Sequence, residues 1–285
     1  MKIDFTKMHG CGNDYVYVDG SKYNLDKGEK SKLAVSLSDR HFGIGSDGLI
    51  FINKSSLADF EMEMYNADGS RAEMCGNGIR CVAKYVYDRK MIDKTEFSIE
   101  SMGKIKIINV TTEDDKVTEV SVDMGEPILE PALIPVTSYE KNDKDFIDEP
   151  VNVNGEIIKM TCVSMGNPHA VMFIEERPID FDLNYYGSKF EGNTDVFPKK
   201  INAEFAKVID RNNIEMRVYE RGTGETLACG TGTCATVVAG ILNGYVDNDV
   251  TVHLLGGDLQ IQWSGNEDDS VFMTGPATYV FSGEI

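Results

Sequence analysis

The sequence predicts an α+β fold of two pseudo-symmetric repeat domains, each with a mostly antiparallel sheet wrapped around a central α-helix. Three observations lead to this prediction. A chain of 285 residues is too long for one ordinary core. Its two halves carry the related motifs MCGNGIRC and ACGTGTCA. Each motif opens into an apolar helical stretch and lies among short strand-like segments.

An internal repeat relates the two motifs. Cys75 and Cys229 lie 154 positions apart (229 − 75 = 154). The same offset relates Gly12-Asn13 to Gly166-Asn167, Gly48 to Asn202, Tyr65 to Tyr219, Asn66 to Glu220, and Gly76 and Gly78 to Gly230 and Gly232. Several matches at one offset indicate two related halves, so we expect two copies of one domain that face each other.

Short apolar or alternating segments predict the strands of each half. In the first half they are DYVYVD, LIFIN, FEMEMYN, KIKIINV and TEVSVDM. In the second half they are AVMFI, EMRVYE, VTVHLL, LQIQW and ATYVF.

A helix is predicted after each Cys-Gly-x-Gly motif. In the first helix the apolar residues recur at helical spacing, and Arg80, Lys84 and Asp88 form a polar edge. The second helix, ATVVAGILNGYV, is apolar nearly all round, as expected for a helix enclosed by a sheet. No charged residue lies between Glu225 and Asp247, but the apolar part is too short for a membrane span.

A proline-rich, charged segment, EPILEPALIPVTSYEKNDKDFIDEP, predicts the connection between the domains. We place the hinge at its start. The predicted domains are residues 1–127 with 276–285, which carry Cys75, and residues 128–275, which carry Cys229.

Charge and cysteine usage exclude several classes of protein. The formal net charge of −19 argues against binding to nucleic acid, which requires a basic face. The first ten residues carry charges and no apolar run, so we expect no targeting segment and a cytoplasmic protein. The six cysteines are then expected to be reduced, and their spacings do not suit zinc, so no metal is expected.

The two repeated cysteines are the candidates for chemistry. A cysteine at the start of a helix lies near unpaired N–H groups, which are expected to lower its thiol pKa and to bind a carboxylate beside it. The other cysteines, at positions 11, 81, 162 and 234, are interpreted as core residues. GIGSDG and GTGTCA match a dinucleotide-binding pattern but lack its strand–turn–helix context.

Two thiols from facing domains suit one reaction in particular. With one thiol on each side of a substrate carbon, one can remove a proton while the other returns a proton to the opposite face. Such a pair inverts a stereocentre without a cofactor. The sequence therefore predicts an amino-acid racemase or epimerase that uses no cofactor.

Six segments of the chain closely resemble the diaminopimelate epimerase family: KMHGCGNDYVYVDG, RHFGIGSDGL, YNADGSRAEMCGNGIRC, SMGNPHAV, FPKKINAEF and YERGTGETLACGTGTCA. The resemblance implies interconversion of LL- and meso-diaminopimelate, a step that feeds lysine and peptidoglycan synthesis. It also implies barrel-like domains that close over the substrate in the cleft between them, and a homodimer. The final strand is expected to pack on the first domain.

The resemblance assigns the reacting end of the substrate to residues of both halves. Cys75 and Cys229 would be the acid and base. The backbone of Gly76-Asn77 and of Gly230-Thr231 would hold the reacting carboxylate, and Asn13 the reacting ammonium.

The same resemblance assigns the far end of the substrate. Asn66, Asn167, Asn202 and Arg221 would hold this end, and Glu220, which is also counted among the catalytic groups, would pair with its ammonium. His169 would tune a catalytic cysteine. A substrate with two carboxylates and two ammoniums needs an arginine, a carboxylate and neutral amides of this kind.

One position departs from the family pattern. Some members carry a glutamine that helps to hold the reacting ammonium where this chain has Gly48. That contact must be lost or supplied by backbone or water.

Other interpretations are weighed on the same residues. A proline racemase or hydroxyproline epimerase would need both thiols but not the clamp of Arg221, Glu220 and the asparagines. A non-catalytic amino-acid-binding protein would need the clamp but not two thiols. A redox protein would need neither the clamp nor the carboxylate cradles.

Overall fold

A computed structural model of the chain describes residues 2–72, 74–137, 144–153 and 155–285. They form two compact units. Unit 1 is Met1–Val122 with Thr274–Ile285, and unit 2 is Asp123–Met273. The domains predicted from the sequence differ from these units by a few residues at each boundary, and that division into domains stays a prediction. Of the proline-rich segment, residues 138–143 lie outside the described residues.

Unit 1 contains two helices among its described residues, α1 (Lys27–Ser38) and α2 (Gly76–Asp88). Its strands are β1 (Asp4–Gly10), β2 (Asn13–Asp19), β3 (Gly48–Asn53), β4 (Phe60–Asn66), β5 (Arg71–Ala72), β6 (Glu96–Ser101), β7 (Lys104–Glu113), β8 (Lys116–Gly125) and, from the end of the chain, β18 (Thr278–Glu284). The last residues of β8 belong to unit 2.

Unit 2 likewise contains two helices among its described residues, α3 (Leu183–Gly192) and α4 (Gly230–Leu242). Its strands are β9 (Glu149–Val153), β10 (Glu156–Ser164), β11 (Pro168–Phe173), β12 (Asn202–Asp210), β13 (Asn213–Glu220), β14 (Gly224–Thr226), β15 (Asp249–Leu254), β16 (Gly257–Gln262) and β17 (Val271–Gly275). The end of β17 belongs to unit 1.

The two units share one strand topology. In unit 1 the pairings β1–β2, β3–β4 and β6–β7 are antiparallel, whereas β2–β3 and β4–β6 are parallel. In unit 2 the pairings β10–β11, β12–β13 and β15–β16 are antiparallel, whereas β11–β12 and β13–β15 are parallel. The α+β class, the mostly antiparallel sheets and the duplication predicted from the sequence are therefore confirmed.

Helices supply the crossovers that parallel strands require. Helix α1 lies between β2 and β3 in the chain, and α3 lies between β11 and β12. The sequence analysis did not predict these two helices. Helix α1 is mostly polar, but it had a detectable start signal. The Asp26 side chain accepts from the Glu29 N–H at 2.9 Å, and the Glu29 carboxylate accepts from the Asp26 N–H at 2.8 Å, which is a capping box.

The helix that follows each cysteine motif is the centre of its unit. Helix α2 packs against β1, β2 and β7, and helix α4 packs against β10, β11, β12, β15 and β16. Nearly every residue of α2 is buried. This arrangement confirms the prediction of a sheet wrapped around a central helix, and it holds the start of each helix firmly in place.

The predicted polar edge of α2 is wrong at Arg80. This residue is fully buried, and its guanidinium donates to the Gly76 carbonyl at 3.2 Å, to the Pro276 carbonyl at 3.2 Å and to Asn77 Oδ1 at 3.0 Å. Asp88 is also buried, and it accepts from the Val117 N–H at 2.8 Å. Helical spacing showed which face these residues share, but not that backbone carbonyls would replace water around them.

Each unit has its own apolar core. In unit 1 a cluster that includes Val16, Leu49, Phe51 and Tyr65 packs beneath α1. In unit 2 a cluster that includes Phe190 and Phe205 packs beneath α3. The four cysteines interpreted as core residues are buried, with at most 2% of their surface exposed. None of the described helices has the length and hydropathy that a membrane span requires.

Candidate active site

Cys75 and Cys229 each precede a central helix and act as its N-cap. The Cys75 Sγ accepts from the Gly78 N–H at 3.3 Å, and the Cys229 Sγ accepts from the Gly232 N–H at 3.4 Å. Serine or aspartate usually fills this role through a side-chain oxygen. A sulfur in the same place receives an N–H donor near the positive end of the helix dipole, which favours negative charge on it.

The four residues expected to form the carboxylate cradles follow the two cysteines directly. Gly76 and Asn77 open α2, and Gly230 and Thr231 open α4. Helix geometry leaves the N–H groups of a first turn without acceptors inside the helix. The Arg80 guanidinium braces the first of these turns through the Gly76 carbonyl and the Asn77 side chain. Both turns can therefore present N–H groups to an anion.

Cys75 lies among neutral polar groups of unit 1. Its thiol donates to Asn13 Oδ1 at 3.0 Å, and Asn13 Nδ2 donates to Asp47 Oδ2 at 2.7 Å. The buried Tyr15 hydroxyl is hydrogen-bonded to Cys75, and burial, reinforced by the charge on that sulfur, raises the pKa of Tyr15 well above its usual range. Asn13 is thus held between the candidate thiol and a carboxylate.

Cys229 lies in a different electrostatic setting. Only 7% of its surface is exposed, and Thr231 Oγ1 lies 3.5 Å from its sulfur. Burial, followed by the charge of the nearby Glu220 carboxylate, raises the pKa of the Cys229 thiol well above its usual range. The expectation of a lowered thiol pKa is therefore wrong for Cys229. The helix N-terminus does favour the thiolate, but desolvation and the Glu220 charge outweigh it.

His169 links several of the expected site residues in unit 2. The side chain is fully buried, with Nδ1 2.7 Å from Glu204 Oε1 and Nε2 3.0 Å from Asn167 Oδ1. Asn202 Nδ2 lies 3.5 Å from the same Nδ1, and Asn202 Oδ1 accepts from the Arg221 N–H at 3.0 Å. These contacts bring Asn167, His169, Asn202 and Arg221 into one network.

Arg221 and Glu220 lie at the edge of that network. Arg221 is exposed, and its guanidinium donates to the Lys199 carbonyl at 3.1 Å. The Glu220 carboxylate accepts from Thr226 Oγ1 at 2.5 Å. Neighbouring residues at the end of β13 thus provide a cation and an anion, which is the pair that an amino-acid end group requires.

Asn66 ends β4, where its Nδ2 donates to Ser70 Oγ at 3.0 Å, and it pairs in register with Gly48. The backbone at Gly48 explains why this chain has no side chain there. A Cβ at Gly48 would lie 2.2 Å from the Tyr65 carbonyl oxygen and 3.0 Å from the Tyr15 ring. The place of the expected glutamine is therefore occupied by backbone and by Tyr15.

Three residues of these surroundings were not expected from the sequence: Tyr15, Arg80 and Glu204. Glu204 is fully buried, and a Cβ at Gly232 would lie 2.5 Å from its Oε1. The sequence signal for Glu204 was an acidic residue with apolar neighbours on both sides, in NAEFA. Within the described ranges, no three His, Cys, Asp or Glu side chains form a group that could hold a metal ion.

Comparisons with known proteins identify the family of this chain. The family model described as diaminopimelate epimerase matches residues 5–130 and 161–280. The diaminopimelate epimerase of Agathobacter rectalis is 58% identical over 99% of both chains. That of Methanococcus maripaludis is 54% identical over 99% of both chains.

Solved structures with low sequence identity share the fold. A phenazine biosynthesis protein of the PhzF family from Bacillus anthracis matches with a TM-score of 0.71 at 15% identity, over 100% of this chain and 99% of that one. A hydroxyproline epimerase from Agrobacterium vitis matches with a TM-score of 0.70 at 13% identity, over 100% of this chain and 91% of that one. The family match and the close relatives carry the assignment. The chain belongs to the diaminopimelate epimerase family.

Proposed function

We propose that this protein interconverts LL- and meso-diaminopimelate by a two-base mechanism in which Cys75 and Cys229 are the acid and base. The observation that carries the proposal is that both cysteines cap a central helix in duplicated units of a diaminopimelate epimerase family member. Each sulfur then lies beside N–H groups that can bind the reacting carboxylate. Inversion follows when the two thiols reach the same Cα from opposite faces.

The proposed binding roles are divided between residues at the reacting end of the substrate and residues at its far end. Asn13, held against Cys75 at 3.0 Å, takes the reacting ammonium, and the N–H groups of Gly76, Asn77, Gly230 and Thr231 take the reacting carboxylate. The far end of the substrate binds to the clamp, which we define as Asn66, Asn167, Asn202, Glu220 and Arg221. Arg221 and Asn167 face its carboxylate, and Glu220 faces its ammonium.

The environment of Cys229 indicates which thiol starts as the acid. Because burial and the charge of Glu220 raise the pKa of Cys229, its sulfur rests as a thiol. Cys75, once deprotonated, then removes the first proton, and Cys229 delivers one to the opposite face of the carbanion. The substrate carboxylate, bound at the two helix N-termini, is where negative charge develops and is stabilised.

Two thiols supply both the acid and the base, and this is why we propose a reaction independent of pyridoxal phosphate. Such thiols must stay reduced. None of the six cysteines, all of which lie in described ranges, forms a disulfide, and this suits the reducing cytoplasm, where we place the protein. Its product would serve lysine and peptidoglycan synthesis.

The resemblance to the family is the basis for proposing a homodimer. Exposed apolar side chains of the last strand in unit 1, Val280 and Phe281, offer a surface that a second copy can cover. Sedimentation at micromolar concentration is expected to give twice the mass of one chain. A single-chain mass would contradict the dimer but not the reaction.

The nearest alternative is an epimerase of proline or hydroxyproline, which shares the two-thiol design. The clamp argues against it, because those substrates have one carboxylate and a ring amine. A non-catalytic amino-acid-binding protein has no use for two capping thiols.

The test is a stereochemical assay without added cofactor. The purified, reduced protein is incubated with LL-diaminopimelate, and the isomers are separated by chromatography. We expect LL- and meso-diaminopimelate to reach equilibrium, while L-proline and trans-4-hydroxy-L-proline are unchanged. Turnover of either proline compound, or no turnover of diaminopimelate, would overturn the proposal.

A further inference from the structure

Glu204 is a fully buried titratable group that the proposed function leaves without a role. It lies on β12 in unit 2. Its Oε1 contacts His169 Nδ1 at 2.7 Å, whereas its Oε2 has no hydrogen-bond partner among the described residues. An ionised carboxylate with one unsatisfied oxygen is costly in such a place, whereas a carboxylic acid needs fewer partners.

The contacts of His169 determine where the shared proton lies. Asn202 Oδ1 accepts from the Arg221 N–H at 3.0 Å, so the amide nitrogen of Asn202 must face His169 Nδ1, at 3.5 Å. The burial of Glu204 and its unpartnered Oε2 favour the carboxylic acid, with its proton on Oε1 and directed at Nδ1. Nδ1 then accepts from Glu204, and His169 carries its own proton on Nε2.

The proton on Nε2 orients the next residue in the network. His169 Nε2 donates to Asn167 Oδ1 at 3.0 Å, and so the Nδ2 donors of Asn167 face away from the imidazole. Asn167 is partly exposed, whereas His169 is fully buried. An amide held in this orientation offers N–H groups, and not an oxygen, to an anionic ligand.

We propose that Glu204, as a buried carboxylic acid, is a positioning residue that fixes the Nε2–H tautomer of His169 and thereby turns the Asn167 amide donors towards a substrate carboxylate. This inference rests on the proposed function only for the identity of the carboxylate. Loss of the Glu204 proton moves the imidazole proton to Nδ1. Asn167 then turns its oxygen outwards and repels the substrate.

The surroundings of Glu204 keep its proton in place. Burial raises the pKa of this carboxyl, and His169 opposes the shift. The other titratable groups near it are the thiols of Cys229 at the start of α4 and of Cys162 on β10. Gly232 permits the approach of Glu204 to α4, because a Cβ there would lie 2.5 Å from Oε1.

The internal repeat indicates which substitution to make at position 204. Position 204 corresponds to Ile50 in unit 1 (204 − 154 = 50), and a Cβ at the equivalent Gly78 would lie 2.9 Å from Ile50 Cδ1. Glu204→Ile therefore places in unit 2 the residue that the same scaffold accepts in unit 1, and it removes the acid. Glu204→Gln keeps a donor for His169 Nδ1 but cannot ionise.

The direct test is the tautomer of His169 in substrate-free protein. Long-range ¹H–¹⁵N correlation spectra of protein labelled at histidine distinguish the two neutral tautomers and the imidazolium, and His169→Gln identifies the signals. We expect the Nε2–H tautomer near neutral pH in the wild type and in Glu204→Gln. A doubly protonated ring, or the Nδ1–H tautomer, would overturn the proposal.

The kinetic test asks whether the tautomer matters for binding. Glu204→Ile is expected to raise KM for diaminopimelate about tenfold, the equivalent of one lost hydrogen bond to a charged group. Glu204→Gln is expected to restore most of this loss. In the wild type KM should rise at alkaline pH, where the Glu204 proton is lost, and Glu204→Gln should show no such rise because it cannot ionise. If KM in the isoleucine variant equals that of the wild type, or if the glutamine variant shows no rescue, the positioning role is wrong.

A matched control is the pair of His253 with Asp258, in which Nδ1 lies 2.9 Å from Oδ1 at the surface. Asp258→Asn changes the same kind of contact and is expected to leave KM unchanged. The spectra need no substrate. If the protein does not turn over diaminopimelate, the proposed function fails, and the tautomer is still judged by the spectra.

Discussion

The first turns of α2 and α4 have equivalent backbones but different electrostatic surroundings. In both, a cysteine caps the helix and accepts an N–H bond from the glycine three residues on. In both, a parallel strand pair lies beneath the turn in the same register, since Tyr15 pairs with Gly48 and His169 pairs with Asn202. The backbone has kept the symmetry of the duplication.

The side chains have lost that symmetry. Where unit 1 has Tyr15, unit 2 has His169, and where unit 1 has Ile50, unit 2 has Glu204 (offset 154 in each case). Cys75 consequently faces an amide and a phenol, whereas burial and the Glu220 charge raise the pKa of Cys229. The comparison teaches that the duplication supplies two equivalent cap positions, while their neighbours decide how each thiol is protonated.

Removal of either thiol should give the largest effect. Cys75→Ala and Cys229→Ala are each expected to lower kcat/KM at least about 10⁴-fold, because inversion needs an acid and a base together. Cys81→Ala, at a buried position in α2, is the control and should retain epimerisation. Substantial activity in both active-site variants, measured by isomer chromatography, would show that the two caps do not share the chemistry.

The next effect concerns the clamp, which is charged only in unit 2. Arg221→Lys is expected to lower kcat/KM by a factor equivalent to about 1–3 kcal/mol of lost transition-state stabilisation. The reason is that an ammonium cannot reproduce a bidentate guanidinium–carboxylate pair. Arg177→Lys is the control, since Arg177 pairs with Glu215 at the surface, at 3.1 Å. An unchanged kcat/KM in Arg221→Lys would remove Arg221 from the clamp.

The first turns of α2 and α4 also show which features the sequence could predict and which it could not. The offset of 154 and the amphipathic stretches were enough to predict two related domains, each with a central helix, because apolar periodicity is a local property. The charge around each sulfur was not predictable. Helix-dipole reasoning favours a lowered thiol pKa, yet Cys229 has the opposite shift, because three-dimensional packing buries its sulfur and brings Glu220 near it.

Gly78 and Gly232 allow a direct comparison of what lies under each turn. A Cβ would meet the terminal carbon of Ile50 at 2.9 Å in unit 1 and the buried Glu204 Oε1 at 2.5 Å in unit 2. We expect Gly232→Ala to lose about 1–3 kcal/mol of unfolding free energy through overpacking. Gly78→Ala should lose less, because a methyl group can shift without breaking a hydrogen bond. Denaturant titration measures both, and equal losses would contradict the comparison.

The smallest effect is on the pH dependence of stability. Burial raises the pKa of Glu204, so its contribution is complete below the unfolded value of 4.5 and is lost as the pH rises through the folded value. The unfolding free energy should therefore fall with rising pH by at most about 1.4 kcal/mol per unit from this group. Glu204→Gln should flatten that slope, and Asp258→Asn should not. Equal slopes in wild type and Glu204→Gln would mean that Glu204 does not hold its proton on folding.

The central claim is that two thiols in different electrostatic surroundings act on opposite faces of one carbon, and solvent isotope labelling tests it most directly. Reduced protein is incubated with LL-diaminopimelate in D₂O without cofactor, and both isomers are analysed by mass spectrometry before equilibrium is reached. The account predicts that newly formed meso-diaminopimelate carries one deuterium at the inverted carbon, because the second thiol has exchanged with D₂O and delivers a deuteron. The remaining LL-diaminopimelate should stay unlabelled. Product that retains the original hydrogen, or substrate that exchanges as fast as product forms, would show that one group does both transfers and would contradict the account.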